Sequence, residues 1–288
     1  MKTYLIKYFC LFIFISLVPI SGVFAQSHDQ VESIINTAIS QAGGEETWHN
    51  NGTLNIREIQ KRYEEGGVVI VNLMHYMKTD GSGYRIELAR QGRNLVYGWD
   101  GNDFWAMVDG RPGNEDEIRE ARRVISDAYF RFSLPFVLER DIHDLEYTGT
   151  DSLYGMNTKV LKMTYDQEPA DRYFSGHADE HGEDSSESDH NTGSEHQAEG
   201  EHGGGHGHGG EEYFFHFSEN GDLVKVYFSH HGDGTYETLL YKNIKKVDGI
   251  NREHIRSLFK PDGNIHYESF FSKIEFNNSV DSRIYEKP

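Results

Sequence analysis

The sequence predicts a mainly β protein of the α+β type, built as an antiparallel meander with an N-terminal helix and one further helix laid against the sheet. Three observations predict it. Runs rich in Tyr, Phe, Val and Ile alternate with a period of two along most of the chain, as half-buried strands require. Asp-Gly or Asn-Gly separates such runs at five places, where a hairpin must visit positive φ. Two segments instead carry apolar residues at helical spacing.

The chain opens MKTYLIKYFCLFIFISLVPISGVFAQS. Lys2 and Lys7 form a positive start, Phe9 to Ile20 an apolar run, and Val23 and Ala25 stand at the −3 and −1 positions before Gln26. This is the pattern of a secretory signal peptide over 1–25. The apolar run contains Pro19 and is short of the roughly 20 residues of a membrane span. The only cysteine, Cys10, lies inside that run rather than after it, so the expected product is exported to a bacterial periplasm, is not a lipoprotein, and contains no thiol.

Asp29 to Ala42 reads as the first helix, with Ile34, Ile35, Ala38, Ile39 and Ala42 on one face and Gly43-Gly44 as its stop. Turns follow at Thr79–Gly83, Asp100–Asp103, Glu219–Asp222, His231–Gly234 and Pro261–Asn264. The second helix lies in GNEDEIREARRVISDAYFRFSLPF. Asn114 and Glu117 have capping-box spacing, Ile118, Ala121, Ile125, Ala128 and Tyr129 line one face, and Pro135 marks the end. A helix this amphipathic must rest on something apolar, here the sheet.

Between strand-like KVLKMTY and EYFFHF lies a segment that cannot bury a core. HGEDSSESDHNTGSEHQAEGEHGGGHGHGG, from His181 to Gly210, has no Lys, no Arg and no large apolar residue. Composition marks 176–211 as a disordered insertion in a strand-to-strand loop of one domain spanning 26–288.

The net charge is −19, and removal of Lys2 and Lys7 makes it more negative. That disfavours nucleic acid and anionic lipid surfaces as partners. No later run is apolar enough to span a bilayer. There is no G-x-S-x-G, no phosphate loop, no dinucleotide fingerprint and no mature cysteine, so nothing points to an enzyme or a required cofactor.

The order of segments resembles a known family. A helix ending in Gly-Gly is followed by Thr47-Trp48-His49, then YRIEL, YGWDGNDFWAMVDG, a helix running into FRFSLPFVL, and YTGTDSLYGMNTKVLKMTY. YFFHFSENGDLVKVYF, YKNIKKVDGI and SKIEFNNSVDSRIYEKP close the chain. This texture resembles exported proteins of the LolA/LolB-like superfamily, often labelled outer-membrane lipoprotein-sorting proteins. The resemblance covers most of the chain outside the insertion. It implies an unclosed, strongly curved half-barrel sheet with helices filling its concave side, and a cavity that in relatives holds acyl chains.

Two sets of residues are candidates for binding. The aromatics Trp99, Phe104, Trp105, Tyr129, Phe130, Phe132 and Phe136, with Tyr97, are expected either to line an apolar pocket for a lipid or other apolar small molecule or to pack as core. The insertion carries His177, His181, His190, His196, His202, His206 and His208. Imidazole and carboxylate are the ligands left in a thiol-free chain, so a divalent metal, Zn, Ni or Cu, is the second expectation. The alternative is an acidic, soluble spacer. HADEH is not the metalloprotease H-E-x-x-H. His216, His230 and His231 flank the insertion on strand and turn positions, and are expected either to join it in one metal site or to be half-exposed strand residues. Two functions follow: an exported, non-enzymatic carrier of an apolar ligand, or a metal-buffering protein acting through the insertion.

Overall fold

The computed structural model describes residues 21–90, 92–165, 173–174, 211–229, 234–276 and 280–288. The seven insertion histidines, His230 and His231, and residues 1–20 of the signal segment lie outside them.

Helix α1 runs Ser21–Ala42 and helix α2 Glu45–Asn50. Strands β1 (Thr53–Glu64), β2 (Gly67–Lys78), β3 (Tyr84–Arg90), β4 (Arg93–Trp99), β5 (Phe104–Val108) and β6 (Arg111–Pro112) form the first meander. Helix α3, Glu115–Ser133, follows. The second meander comprises β7 (Leu145–Leu153), β8 (Met156–Tyr165), β9 (Glu211–Ser218), β10 (Leu223–Ser229) and β11 (Glu237–Lys242). A small ribbon, β12 (Lys245–Val247) and β13 (Ile250–Arg252), precedes β14 (Ile255–Phe259) and β15 (Ile265–Phe276).

Thirteen of these strands make one curved, unclosed antiparallel sheet in the order β6-β5-β4-β3-β2-β1-β15-β14-β11-β10-β9-β8-β7. The first meander runs to one edge and the second to the other. β1 and β15 join them, with Leu54 opposite Phe276 and Arg62 opposite Tyr267. The edge strands β6 and β7 are consecutive in the chain yet lie at opposite ends of the sheet. Their connection must therefore cross a whole face, and α3 is that crossing. β8 and β9 pair directly, Thr158 with Ser218 and Tyr165 with Glu211, so the chain between them joins adjacent strands. β9 already begins at Glu211, inside the expected 176–211 boundary.

Local chemistry explains the elements. Asn114 accepts from the Glu117 amide at 2.9 Å while the Glu117 carboxylate accepts from the Asn114 amide at 2.9 Å, which closes the capping box. Leu134, before Pro135, is extended and ends the helix, as the residue preceding proline prefers. α3 buries Ala121, Ile125, Tyr129, Phe130 and Phe132. Among the described residues the first helix already runs from Ser21, ahead of the expected Asp29, and across the expected cleavage point. It buries Val31, Ile34, Ile35, Ala38 and Ile39 and packs on β7 and β13. Gly43, at φ 126°, stops it where a Cβ would lie 2.4 Å from the Gly249 carbonyl oxygen.

The core occupies the face that the helices cover. There Leu54, Ile56, Val71, Leu73, Tyr84, Ile86, Phe215, Phe217 and Val226 point inward. Among the described residues, no helix is long and apolar enough to cross a membrane. Because the capping box is the built start of the helix that spans the sheet, Asn114→Ala is expected to lower the unfolding free energy by about 1 kcal/mol. Chemical denaturation read by circular dichroism measures it.

Candidate functional site

The two faces of the sheet carry different chemistry. On the helix-covered face the expected aromatics fall into two groups. Trp99 lies 4.6 Å from Phe104 and 5.2 Å from Phe174, which is also 5.2 Å from Tyr129. Phe130 sits among Tyr165, Tyr173, Tyr213 and Phe215. Further along, Phe132 meets His75 at 5.1 Å and Phe271 at 5.6 Å, and Phe136 stacks on Trp48 at 4.5 Å. Tyr97 is buried on the same side. These rings touch one another; a void of about 10 Å³ lies beside Phe130, Arg131 and Tyr241, and another of about 40 Å³ beside Leu134, Tyr241 and Arg252.

Trp105 does not belong to this set. In β5 its neighbour Phe104 pairs with Trp99, so Trp105, paired with Gly98, projects from the opposite face. It is 1% exposed there. Its indole donates to the Tyr285 carbonyl at 2.9 Å, and Arg85 donates to the Ile284 carbonyl at 3.1 Å. The closing residues of the chain thus cover Trp105. Gly98 makes room for its ring, since a Cβ would stand 2.0 Å from it.

The interior also holds an ionic network that the sequence reading missed. His75 is 2% and Glu58 6% exposed. Their side chains meet at 2.9 Å, and the Tyr84 hydroxyl contacts the other imidazole nitrogen at 3.2 Å. Ser269 donates to the second Glu58 oxygen. Burial works to raise the Glu58 pKa, but the His75 and Ser269 hydrogen bonds and the Arg256 charge prevail and hold it below its ordinary value. Ser269 donates to the carboxylate and not to the imidazole, so the group is not a nucleophile–base relay.

Next to it stand Arg252 and Arg256, 3% and 4% exposed. Arg256 donates to Glu253 and lies 4.8 Å from the Phe132 ring. Arg252 donates to the Phe132 carbonyl at 2.6 Å and the Leu134 carbonyl at 3.3 Å, and so caps the C-terminal end of α3. Arg131, on α3, donates to the Tyr267 hydroxyl and pairs with Asp127 at 2.7 Å. A signal was present in β1: Glu58 and Gln60 continue the parity of Leu54 and Ile56, and that interrupted alternation is where polar side chains turn inward.

On the opposite face, among the described residues, β7 to β11 and β14 form an open groove of about 820 Å³. Phe214, Tyr227, Tyr236 and Phe259 are its aromatic lining, and Tyr227 stacks on Tyr236 at 4.5 Å. His216 lies at its floor, 5% exposed, with Nδ1 3.5 Å from Asp151, which also takes Lys225 at 3.3 Å. Burial, then the Lys225 charge, pushes the His216 pKa down to about 4 against the pull of Asp151. Among the described residues no group of three or more His, Cys, Asp or Glu is arranged to hold a metal ion.

The fold is LolA-like. A LolA superfamily protein from Nitrosomonas europaea matches with a TM-score of 0.52 at 10% identity, over 89% of this chain and 97% of that one. A candidate outer-membrane lipoprotein-sorting domain from Vibrio parahaemolyticus matches with 0.51 at 11% identity, over 88% and 97%. A DUF1329 family protein from Desulfovibrio piger matches with 0.52 at 10% identity, over 89% and 97%. No family model matches the sequence, and no curated protein matches it.

His216 makes stability pH-dependent. The unfolded imidazole takes a proton near pH 6.5, the folded one only near 4, so between these values the unfolded chain binds more protons and stability falls as pH falls. The expected loss is on the order of 2 kcal/mol. Thermal unfolding of the wild type and His216→Gln from pH 7 to pH 4 checks it: the variant should show a flatter decline.

Proposed function

We propose that this protein is an exported, non-enzymatic carrier that holds a lipid or other apolar ligand between α3 and the sheet. One observation carries the reading: the interior is walled by aromatic side chains and closed over β3 to β5 by the amphipathic α3. Such a helix can exchange its own apolar face for a ligand's, because both bury the same kind of surface at about 25 cal/mol per Å². The LolA-like fold and the neighbour named for lipoprotein sorting support the same class of ligand. The signal-peptide pattern supports the periplasm as its location. In the closed form the rings of Phe130, Tyr129 and Phe132 take the ligand's place.

The mature full-length protein should take up a fluorescent fatty acid at one or a few sites, with a change in tryptophan emission as Trp99 and Trp48 change neighbours. Absence of uptake, together with native mass spectra that carry no lipid-sized mass, would sink the reading.

A second reading rests on the sequence alone. The seven insertion histidines fit a metal buffer for Zn, Ni or Cu. It requires that deletion of Gly176–Gly210 abolish zinc binding while the circular dichroism spectrum is kept, and unchanged zinc affinity after deletion rejects it.

A further inference from the structure

We propose that the buried arginines Arg131, Arg252 and Arg256 receive the oxyanion head, carboxylate or phosphate, of an acyl-chain ligand, so that the interior selects anionic amphiphiles. The proposal rests on the carrier reading above and names its ligand class.

The three guanidinium groups gather at the C-terminal end of α3. Arg256 lies 4.8 Å from the Phe132 ring and 5.2 Å from those of Tyr241 and Phe271. Arg252 and Arg256 share one carboxylate: Glu253 accepts from Arg256 and stands 3.9 Å from Arg252. Glu58, the other interior carboxylate near them, is held by His75 and Ser269. Asp127, also on α3, pairs with Arg131 at 2.7 Å, so the cluster is charge-balanced and what it offers a ligand is hydrogen-bond donors rather than excess positive charge.

Donor capacity is also left over. Arg256 Nε and the Tyr241 hydroxyl are buried and have no hydrogen-bond partner among the described residues. Both belong to groups that ordinarily find one. The voids beside Tyr241 and Leu134, of about 40 and 10 Å³, hold no more than about one water each. A head group thus enters only as α3 yields.

The position of the acceptors decides which head is favoured. Arg252 spends its donors on the Phe132 and Leu134 carbonyls, and Arg131 rides on the helix and donates to Tyr267 on the sheet. A ligand that lifts the end of α3 removes these acceptors together. A neutral head leaves the Arg252 donors that lost those carbonyls poorly satisfied in apolar surroundings, which is unfavourable. A carboxylate or phosphate replaces the lost carbonyls with charge-assisted, bidentate hydrogen bonds.

The test compares three ligands with one acyl chain, each below its micelle concentration, on the full-length mature protein. They are oleate, 1-oleoyl lysophosphatidic acid and monooleoylglycerol, titrated by tryptophan fluorescence and confirmed by native mass spectrometry. At least one of the two anionic ligands should bind about tenfold or more tighter than the neutral one, and which one does separates a carboxylate from a phosphate source. In R252Q, shown to be folded by circular dichroism, that ratio should collapse to within about twofold. Binding of all three with equal affinity in the wild type overturns the head-group assignment and leaves the carrier standing. Binding of none overturns the carrier and this proposal with it. The wild-type comparison decides the matter even where the variant fails to fold.

Discussion

The path of the chain from β6 to β7 governs this molecule. Successive strands of a meander ordinarily neighbour one another, and here they do so up to β6. The next strand, β7, is then laid at the far edge of a thirteen-stranded sheet. No short loop covers that distance, so the connection has to be a long element that crosses the face, and α3 with its apolar stripe is the solution. Its N-terminus is set by the Asn114–Glu117 box and its C-terminus by Arg252. The interior is what lies beneath this strap.

The same constraint makes the two faces unequal. Beneath α3, the rings of Phe130 and Phe132 sort the interior into an aromatic part and an ionic part. Glu58, His75, Glu253, Arg252 and Arg256 are all under 10% exposed, and burial of so many charges is tolerated because nearly every one meets an opposite charge or a backbone carbonyl. Breaking such a network by removing one partner is costly, because it leaves an uncompensated buried charge. On the other face, the closing residues of the chain seal Trp105 over β3 to β5, while among the described residues β7 to β11 form a groove with His216 at its floor.

Structural likeness at about 10% identity carries the fold and leaves function to the site. The LolA-like architecture explains why the helices sit where they do. It does not explain a core with three arginines, a feature of this chain's own residues.

Residues with strong local instructions were legible in the sequence. The Asp-Gly and Asn-Gly turns at Asp80-Gly81, Asp100-Gly101, Asn220-Gly221 and Asp262-Gly263 ended strands where the structure ends them, because positive φ is a property of one or two residues. The α3 capping box and the helical stripe of Ala121, Ile125 and Tyr129 were equally plain, being contacts within a few residues. Trp105 and Phe104 were not separable as two faces, since both are aromatic and which side is interior depends on the partner strand. Glu58 and His75 were not singled out by the sequence, because their burial is decided by β15 and α3, far away in the chain. Sequence by itself determined an antiparallel meander with one amphipathic helix; tertiary structure alone decided which face that helix closes and which charges it traps, because those depend on contacts between segments that no local pattern encodes.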